Sequence, residues 1–350
     1  MRSRPILPTV FALAAILALP ATGMAGGNPQ ASFSTTLGGC YVQGTVSDIA
    51  GNQLRIKHRS ANGALKKTHT FDVPLGVYEI GCPGPGVVIG DSFQFFEGSA
   101  TTPFRTFTVP ELTLRTDRFN DRVSGTATRA AQVYLSASTC DAAFFGCTSF
   151  PAEPVPVDPT TQRFARNLPE DITGTWSFDV RWEKGGDSVW LHQRVAGILV
   201  RPGSAVVGRA GALIGRSVVV SVRRGQKTGI GTATTKQEAR FSTTIRRSGS
   251  PMPVRAGDLV SSDIAADATL VVPATSISLD GGFVVGRCFK SRRVTVLLYD
   301  AGGAWKGVTS ATSNATGHWT TTAAPSAGWR VQAWCANVRG DTIRLDLLAN

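Results

Sequence analysis

Four times along this chain a valine, one spacer and a glycine stand at the head of an alternating run: Val42-Gln43-Gly44, Val123-Ser124-Gly125, Val206-Val207-Gly208 and Val284-Val285-Gly286. The glycines are 81, 83 and 78 residues apart. A period of that size is close to one small β-sandwich, so the chain reads as four successive copies of one module. Behind each glycine lies a β-branched strand: Leu54-Arg55-Ile56-Lys57, Val133-Tyr134-Leu135, Val218-Val219-Val220-Ser221-Val222 and Val294-Thr295-Val296-Leu297-Leu298. Their alternation buries one face.

An aromatic in a period-two stretch follows in each module: Phe71, Trp176, Phe241 or Trp319, the last two each 33 residues after the glycine. Trp176, Phe178, Val180 and Trp182 share one face, which makes Trp176 a core residue. Gly90-Asp91, Gly186-Asp187, Gly257-Asp258 and the variant Gly328-Trp329 then introduce a final hairpin. Glycine allows positive φ and aspartate bonds its own turn, so these dipeptides are structural and do not mark a hydrolase block. Helical periodicity is nearly absent outside the N-terminus. The expected fold is all-β, a tandem array of four Ig-like Greek-key sandwiches.

The expected division is a signal peptide at 1–25 and modules at 26–116, 117–204, 205–280 and 281–350. Arg2 and Arg4, an apolar run over 6–19 and Gly23-Met24-Ala25 carry the leader reading. The apolar run is too short to span a bilayer, and no transmembrane segment is expected in the mature chain. In the second module Pro151, Pro154, Pro156 and Pro159 favour an extended loop over residues 150–167.

The six cysteines fall as Cys40 and Cys82 in the first module, Cys140 and Cys147 in the second, Cys288 and Cys335 in the fourth. Every module has an even count. Fifteen pairings remain open to sequence; pairing within modules is the simplest and suits a secreted chain.

The modules resemble bacterial Ig-like repeats of the carboxypeptidase-regulatory, transthyretin-like type. Val42-Gln43-Gly44-Thr45-Val46 and Pro74-Leu75-Gly76-Val77-Tyr78 carry the resemblance in the first, Thr312-Ser313-Asn314-Ala315-Thr316-Gly317-His318-Trp319 in the fourth. The second and third lack P-x-G-x-Y and use Gly-Asp instead. The resemblance implies extracellular spacer or adhesive modules and carries no catalytic residues.

His58, His69, His192 and His318 sit in no catalytic context, and no G-x-S-x-G, H-E-x-x-H or phosphate loop is present. The chain reads as no enzyme and as needing no cofactor. His58 and His69 are expected as a solvated pair. Asp117, Asn120 and Asp121 supply oxygens of the kind calcium takes, but Arg118 and Arg122 intervene.

Of the formal charge of +12, +5 falls in 205–280 and +5 in 281–350. That surplus fits either an arginine-biased surface that keeps the chain soluble or an anionic partner, an anionic polysaccharide or cell-wall polymer; aromatic interleaving for nucleic acid is weak. Trp190 and Trp334 alternate out of phase with their buried neighbours, and Trp334 with Arg330, Arg292 and Arg293 forms the candidate ligand patch. The expected role is a secreted structural, spacer or adhesive component at the cell surface, with ligand binding as the alternative.

Overall fold

The computed structural model describes residues 28–350 apart from 40, 82–85, 119, 144–145, 204, 212–214, 237–238 and 266. The expected leader and the Cys40–Cys82 pairing lie outside the described residues. Among those described there is no α-helix, and strands dominate throughout.

Each Val-x-Gly segment lies on a strand, Val42–Ser47, Arg122–Thr126, Val206–Arg209 or Phe283–Arg287, flanked on one side by preceding chain, split in the first set into Gln30–Ala31 and Ser34–Thr36, and on the other by a strand after it. The signature strand is therefore the second of its set, where the sequence suggests an opener. The preceding strands are Ser34–Thr36, Arg115–Asp117, Gly197–Val200 and Ser276–Asp280. A four-stranded ladder accompanies each set. In the first its order is Leu65–Asp72, Gln53–Arg59, Ser92–Glu97, Arg105–Thr108; in the fourth it is Trp305–Thr312, Arg293–Tyr299, Arg330–Ala336, Thr342–Leu348. The second and third repeat this order.

Register explains why the repeat needs glycine. Gly44 pairs with Tyr78, Gly125 with Phe164, Gly208 with Phe241 and Gly286 with Trp319 across neighbouring strands. A Cβ on Gly208 would lie 2.5 Å from the Gly197 carbonyl oxygen and 2.6 Å from Phe241 Cζ; on Gly286 it would meet the Ser276 oxygen at 2.3 Å and Trp319 at 2.4 Å. In each case the aromatic ring fills the space that the missing side chain leaves, and the preceding strand presses on it from the other side. The expected aromatics Phe241 and Trp319 are the right ones. Phe71 and Trp176 are not: Phe71 lies in the second strand of a hairpin, and Trp176 opens a later strand, leaving Tyr78 and Phe164 in the equivalent places.

Two further expectations are corrected. Most of the proline-rich stretch is strand, because Cys147–Pro156 pairs with Gln132–Cys140 as the last strand of its sheet and Arg163–Asn167 pairs with Arg122–Thr126, which leaves the loop to residues 157–162. Pro154 and Pro156 stand two residues apart, so both lack their N–H on the same, outward edge, where no ladder bond is lost. Gly186-Asp187, expected at the place of Gly90-Asp91, lies instead in the hairpin that joins Trp176–Lys184 to Asp187–Arg194.

The buried aspartates of these turns do structural work. Asp91 is fully buried and accepts from Lys66 Nζ (2.7 Å), the Val88 amide (3.1 Å) and His58 Nε2 (2.9 Å), with the imidazole stacked on Phe93. His58 is thus a buried carboxylate partner and not half of a solvated pair. Asp258 takes two 2.7 Å bonds from Arg224 and one from the Arg255 amide. Burial alone would raise its carboxyl, but Arg224 and the Arg255 amide hold it below its ordinary 3.8.

The sheets run across the repeat. Ser34–Thr36 pairs in parallel with Asp187–Arg194, and Gly197–Val200 pairs in parallel with Thr342–Leu348, giving continuous sheets of eight and seven strands. The core follows the same division, one cluster running from Phe33 to Val195 and the other from Ala196 to Leu345. The Cys288–Cys335 disulfide is buried in the second cluster, and Cys140–Cys147 closes a hairpin end in the first half.

Two outcomes follow from these contacts. Gly208→Ala should cost at least ~2 kcal/mol of unfolding free energy by urea denaturation, since strand backbone and a core ring would both have to move; Gly307→Ala, where an added Cβ meets nothing within 4 Å, should cost under ~1 kcal/mol. Because the Asp258 carboxyl is held low in the fold, the stability it contributes is present above 3.8 and lost as pH falls through the lower folded-state value. Asp258→Asn should therefore flatten the acid limb of a urea-midpoint profile below about pH 4 while lowering the midpoint at neutral pH.

Candidate functional site

Both parallel pairings are sealed by the same device. At the first, the Asp187 carboxylate accepts the Phe33 amide at 3.0 Å and pairs with Arg105. At the second, Asp341 accepts the Ile198 amide at 3.0 Å and pairs with Arg118. Each aspartate follows a glycine in the turn before its strand. Gly340 is bound to this place, since its φ is +76° and a Cβ would lie 2.4 Å from the Gly174 nitrogen. Sequence reasoning passes over Gly340-Asp341, although it repeats the dipeptide of Gly186-Asp187.

Arg118 links the two halves of the chain. Its side chain is 2% exposed. It donates to the carbonyl oxygens of Ala196 (2.9 Å) and Arg339 (2.7 Å), reaches both Asp341 oxygens at 3.4 and 3.2 Å, and places Nε 3.3 Å from Asp267 Oδ2. The neighbouring oxygens already hold donors of this chain. Asp117 accepts from the Asn120 amide and side chain, and Asp121 Oδ1 accepts the Ile172 amide at 2.8 Å. Among the described residues no cluster of three or more His, Cys, Asp or Glu is set to hold a metal.

Beside this junction lies a groove of about 950 Å³. Its floor is the outward face of the seven-stranded sheet, with Leu199, Val207 and Trp334, and its far wall is the Ala142-Ala143 turn of the first half. The Cys140–Cys147 disulfide ties that turn, and Asp141 Oδ2 accepts a bond from Thr295 Oγ1 on the opposite sheet. Six cations line the groove: Arg194, Arg201, Arg209, Lys236, Arg240 and Arg344. No described carboxylate lines it. Arg209 stands directly opposite Arg240 on neighbouring strands. Arg201 is crowded as well, its guanidinium held below its ordinary value by burial first and by Arg344 second, against the pull of Asp346. Arg344 itself bonds Asp346 at 2.6 Å.

The expected ligand patch is only partly assembled. Trp334 is half-buried and lines the groove, with the Arg344 guanidinium 5.5 Å from its ring. Arg330 lies opposite Tyr299 and Arg293 opposite Thr312, at the two ends of one strand about 20 Å apart, and Arg292 precedes that strand. None of the three lines the groove. Trp190 belongs to the other half, where Arg181 lies between it and Tyr134, 5.0 and 4.7 Å from the two rings. The cation against Trp334 is Arg344, ten residues on in the paired strand, and the other five that line the groove lie more than 90 residues away in sequence.

No family model matches the chain, and no curated protein matches it. Among solved structures it is similar to the tetra-tandem repeat in the extending region of a large adhesion protein, at 15% identity over 92% of this chain and 100% of that one, TM-score 0.19. It is similar also to the BSP domain of a biofilm associated protein, at 8% identity over 92% and 96%, TM-score 0.17. A third likeness is to trypsin-activated alpha-2-macroglobulin from Escherichia coli, at 12% identity and TM-score 0.19, covering 95% of this chain and 42% of that one. The fold described above rests on the strand pairing.

Arg118→Ala strands Asp341 without its cation in a site closed to water. Removing one partner of a buried pair costs about 3 to 5 kcal/mol, and urea unfolding followed by tryptophan fluorescence should register a loss of that order.

Proposed function

We propose that the chain is a secreted, non-enzymatic array of four Ig-like sandwiches, of the carboxypeptidase-regulatory type, acting as a structural, spacer or adhesive component at the cell surface. The observation that carries the reading is the way the modules are joined. Sheets run from one module into the next, and Arg118 ties one half to the other through five polar contacts from a single buried side chain. Such joints suit a chain that holds a fixed geometry. Its histidines support the same reading: His58 is committed to Asp91, and His192 to Asp179 at 2.8 Å. Two disulfides favour an oxidising compartment. Tyr78, the tyrosine of the P-x-G-x-Y hairpin, donates to the Ser32 carbonyl at 2.6 Å and supports the proposed type. Among the described residues no helix is long and apolar enough to cross a membrane.

A second reading, binding of an anionic polysaccharide or cell-wall polymer, is favoured by the arginine-lined groove. Surface shaving tests the first. In intact host cells, added protease should remove the antibody signal for the chain while a cytoplasmic marker survives, and the purified chain should turn over no hydrolase substrate. A signal that persists until the cells are lysed sinks the surface assignment, and turnover sinks the non-enzymatic one.

A further inference from the structure

The four ladders share an equivalent strand toward one rim: Leu65–Asp72, Cys147–Pro156, Lys227–Thr234 and Trp305–Thr312. A rim strand leaves a row of N–H and C=O groups open to another chain, and folds guard it with charge, proline or a cover. Three of the four are guarded, each in its own way. Leu65–Asp72 carries Lys66, Lys67, His69 and Asp72, and Lys66 turns in to the buried Asp91. Cys147–Pro156 carries Pro151, Pro154 and Pro156. Lys227–Thr234 is covered by the small hairpin of Arg246–Arg247 and Ser250–Pro251.

The fourth is guarded only where it begins. There Lys306 is the extra residue of a bulge, paired with Asp300 at 3.0 Å. Residues 307–312 have no charge, no proline and no further bulge, and among the described residues no strand pairs with their outer side. The Ser313 amide donates to the Arg292 carbonyl at 2.9 Å. Antiparallel alternation from that pair turns the N–H and C=O of Val308, Ser310 and Thr312 away from Arg293–Tyr299, and all three residues are exposed.

We propose that this edge joins a second copy of the chain by antiparallel strand addition about a two-fold axis, with Ser310 opposite its own counterpart and Val308 opposite Thr312. That register pairs outward groups with outward groups. It sets one β-branched side chain against another and brings no two charges face to face. An axis normal to the sheet also keeps the half-buried Thr309 and Ala311 of both copies on the core side. Strand addition is already how this sheet grows, since it takes in Gly197–Val200 beside Thr342–Leu348 at its far end. Self-association of this kind goes beyond the surface reading and does not depend on it.

Sedimentation velocity of the full mature chain, run from low to high micromolar concentration, should show a monomer–dimer equilibrium. Ser310→Lys places two ammonium groups face to face and should raise the dimer Kd about tenfold or more. Its urea midpoint should stay near wild type, because the position is exposed. Ser310→Asp should act alike, and an equimolar mixture of the two variants should recover the dimer, as only a residue that faces itself allows. Thr70→Lys, exposed on the guarded strand of the first module, should change the Kd less than about twofold. A wild-type chain that stays monomeric would overturn the edge, as would a Ser310→Lys dimer as tight as wild type or an equal loss with Thr70→Lys. A mixture that stays monomeric, or species that grow past the dimer, would overturn the two-fold pairing. Each of these leaves the surface-shaving result standing, so the two readings fail separately.

Discussion

The structure depends on two buried carboxylates that each hold a backbone amide of the preceding sandwich. Asp187 receives the Phe33 amide, and Asp341 the Ile198 amide, immediately before the strands that pair in parallel across the repeat. A carboxylate taken out of water needs a cation and several donors to be tolerated. Arg105 supplies the cation from within the first half. Arg118 supplies it to the second half from the first, and that one difference ties the two halves together. The junction groove sits against this clamp, with its floor and its wall in different halves.

The legibility of the fold follows the range of the forces involved. The Val-x-Gly repeat is readable because the demand for glycine is local, fixed by one ring and one carbonyl pressing on the same Cα. Its aromatic partner is readable where the spacing stays at 33 residues, and not where Phe71 offers a decoy with the same alternation as Tyr78. The proline-rich strand escapes because edge position is a tertiary fact, and only on an edge can Pro154 and Pro156 sit in a ladder. Arg118 reads in sequence as a charge that spoils a calcium site. Its carbonyl and carboxylate partners lie 78 to 223 residues away, so neither its burial nor its role has a local signal.

The groove illustrates the same limit from the functional side. Charge counting places the basic surplus in the last two modules, and there most of the lining cations are found. Grouping them is a matter of strand order. Trp334 meets Arg344 because Arg330–Ala336 pairs with Thr342–Leu348, and Arg201 joins them because Gly197–Val200 adds to that sheet in parallel. Arg330 and Arg293, near Trp334 by pairing or sequence, fall outside because a strand separates residues by about 3.3 Å per step.

The parallel pairings also set an order of events for a chain that emerges from its N-terminus. Ser34–Thr36 finds its partner in Ser188–Trp190, about 150 residues later, and Gly197–Val200 waits as long for Thr342 and Ile343. Until then the first strand of each pair is an open sheet edge, ready to recruit any extended segment it meets. Neither half can complete its long sheet before its last strands are delivered, so the unit to be kept from misassembly during translation is the half.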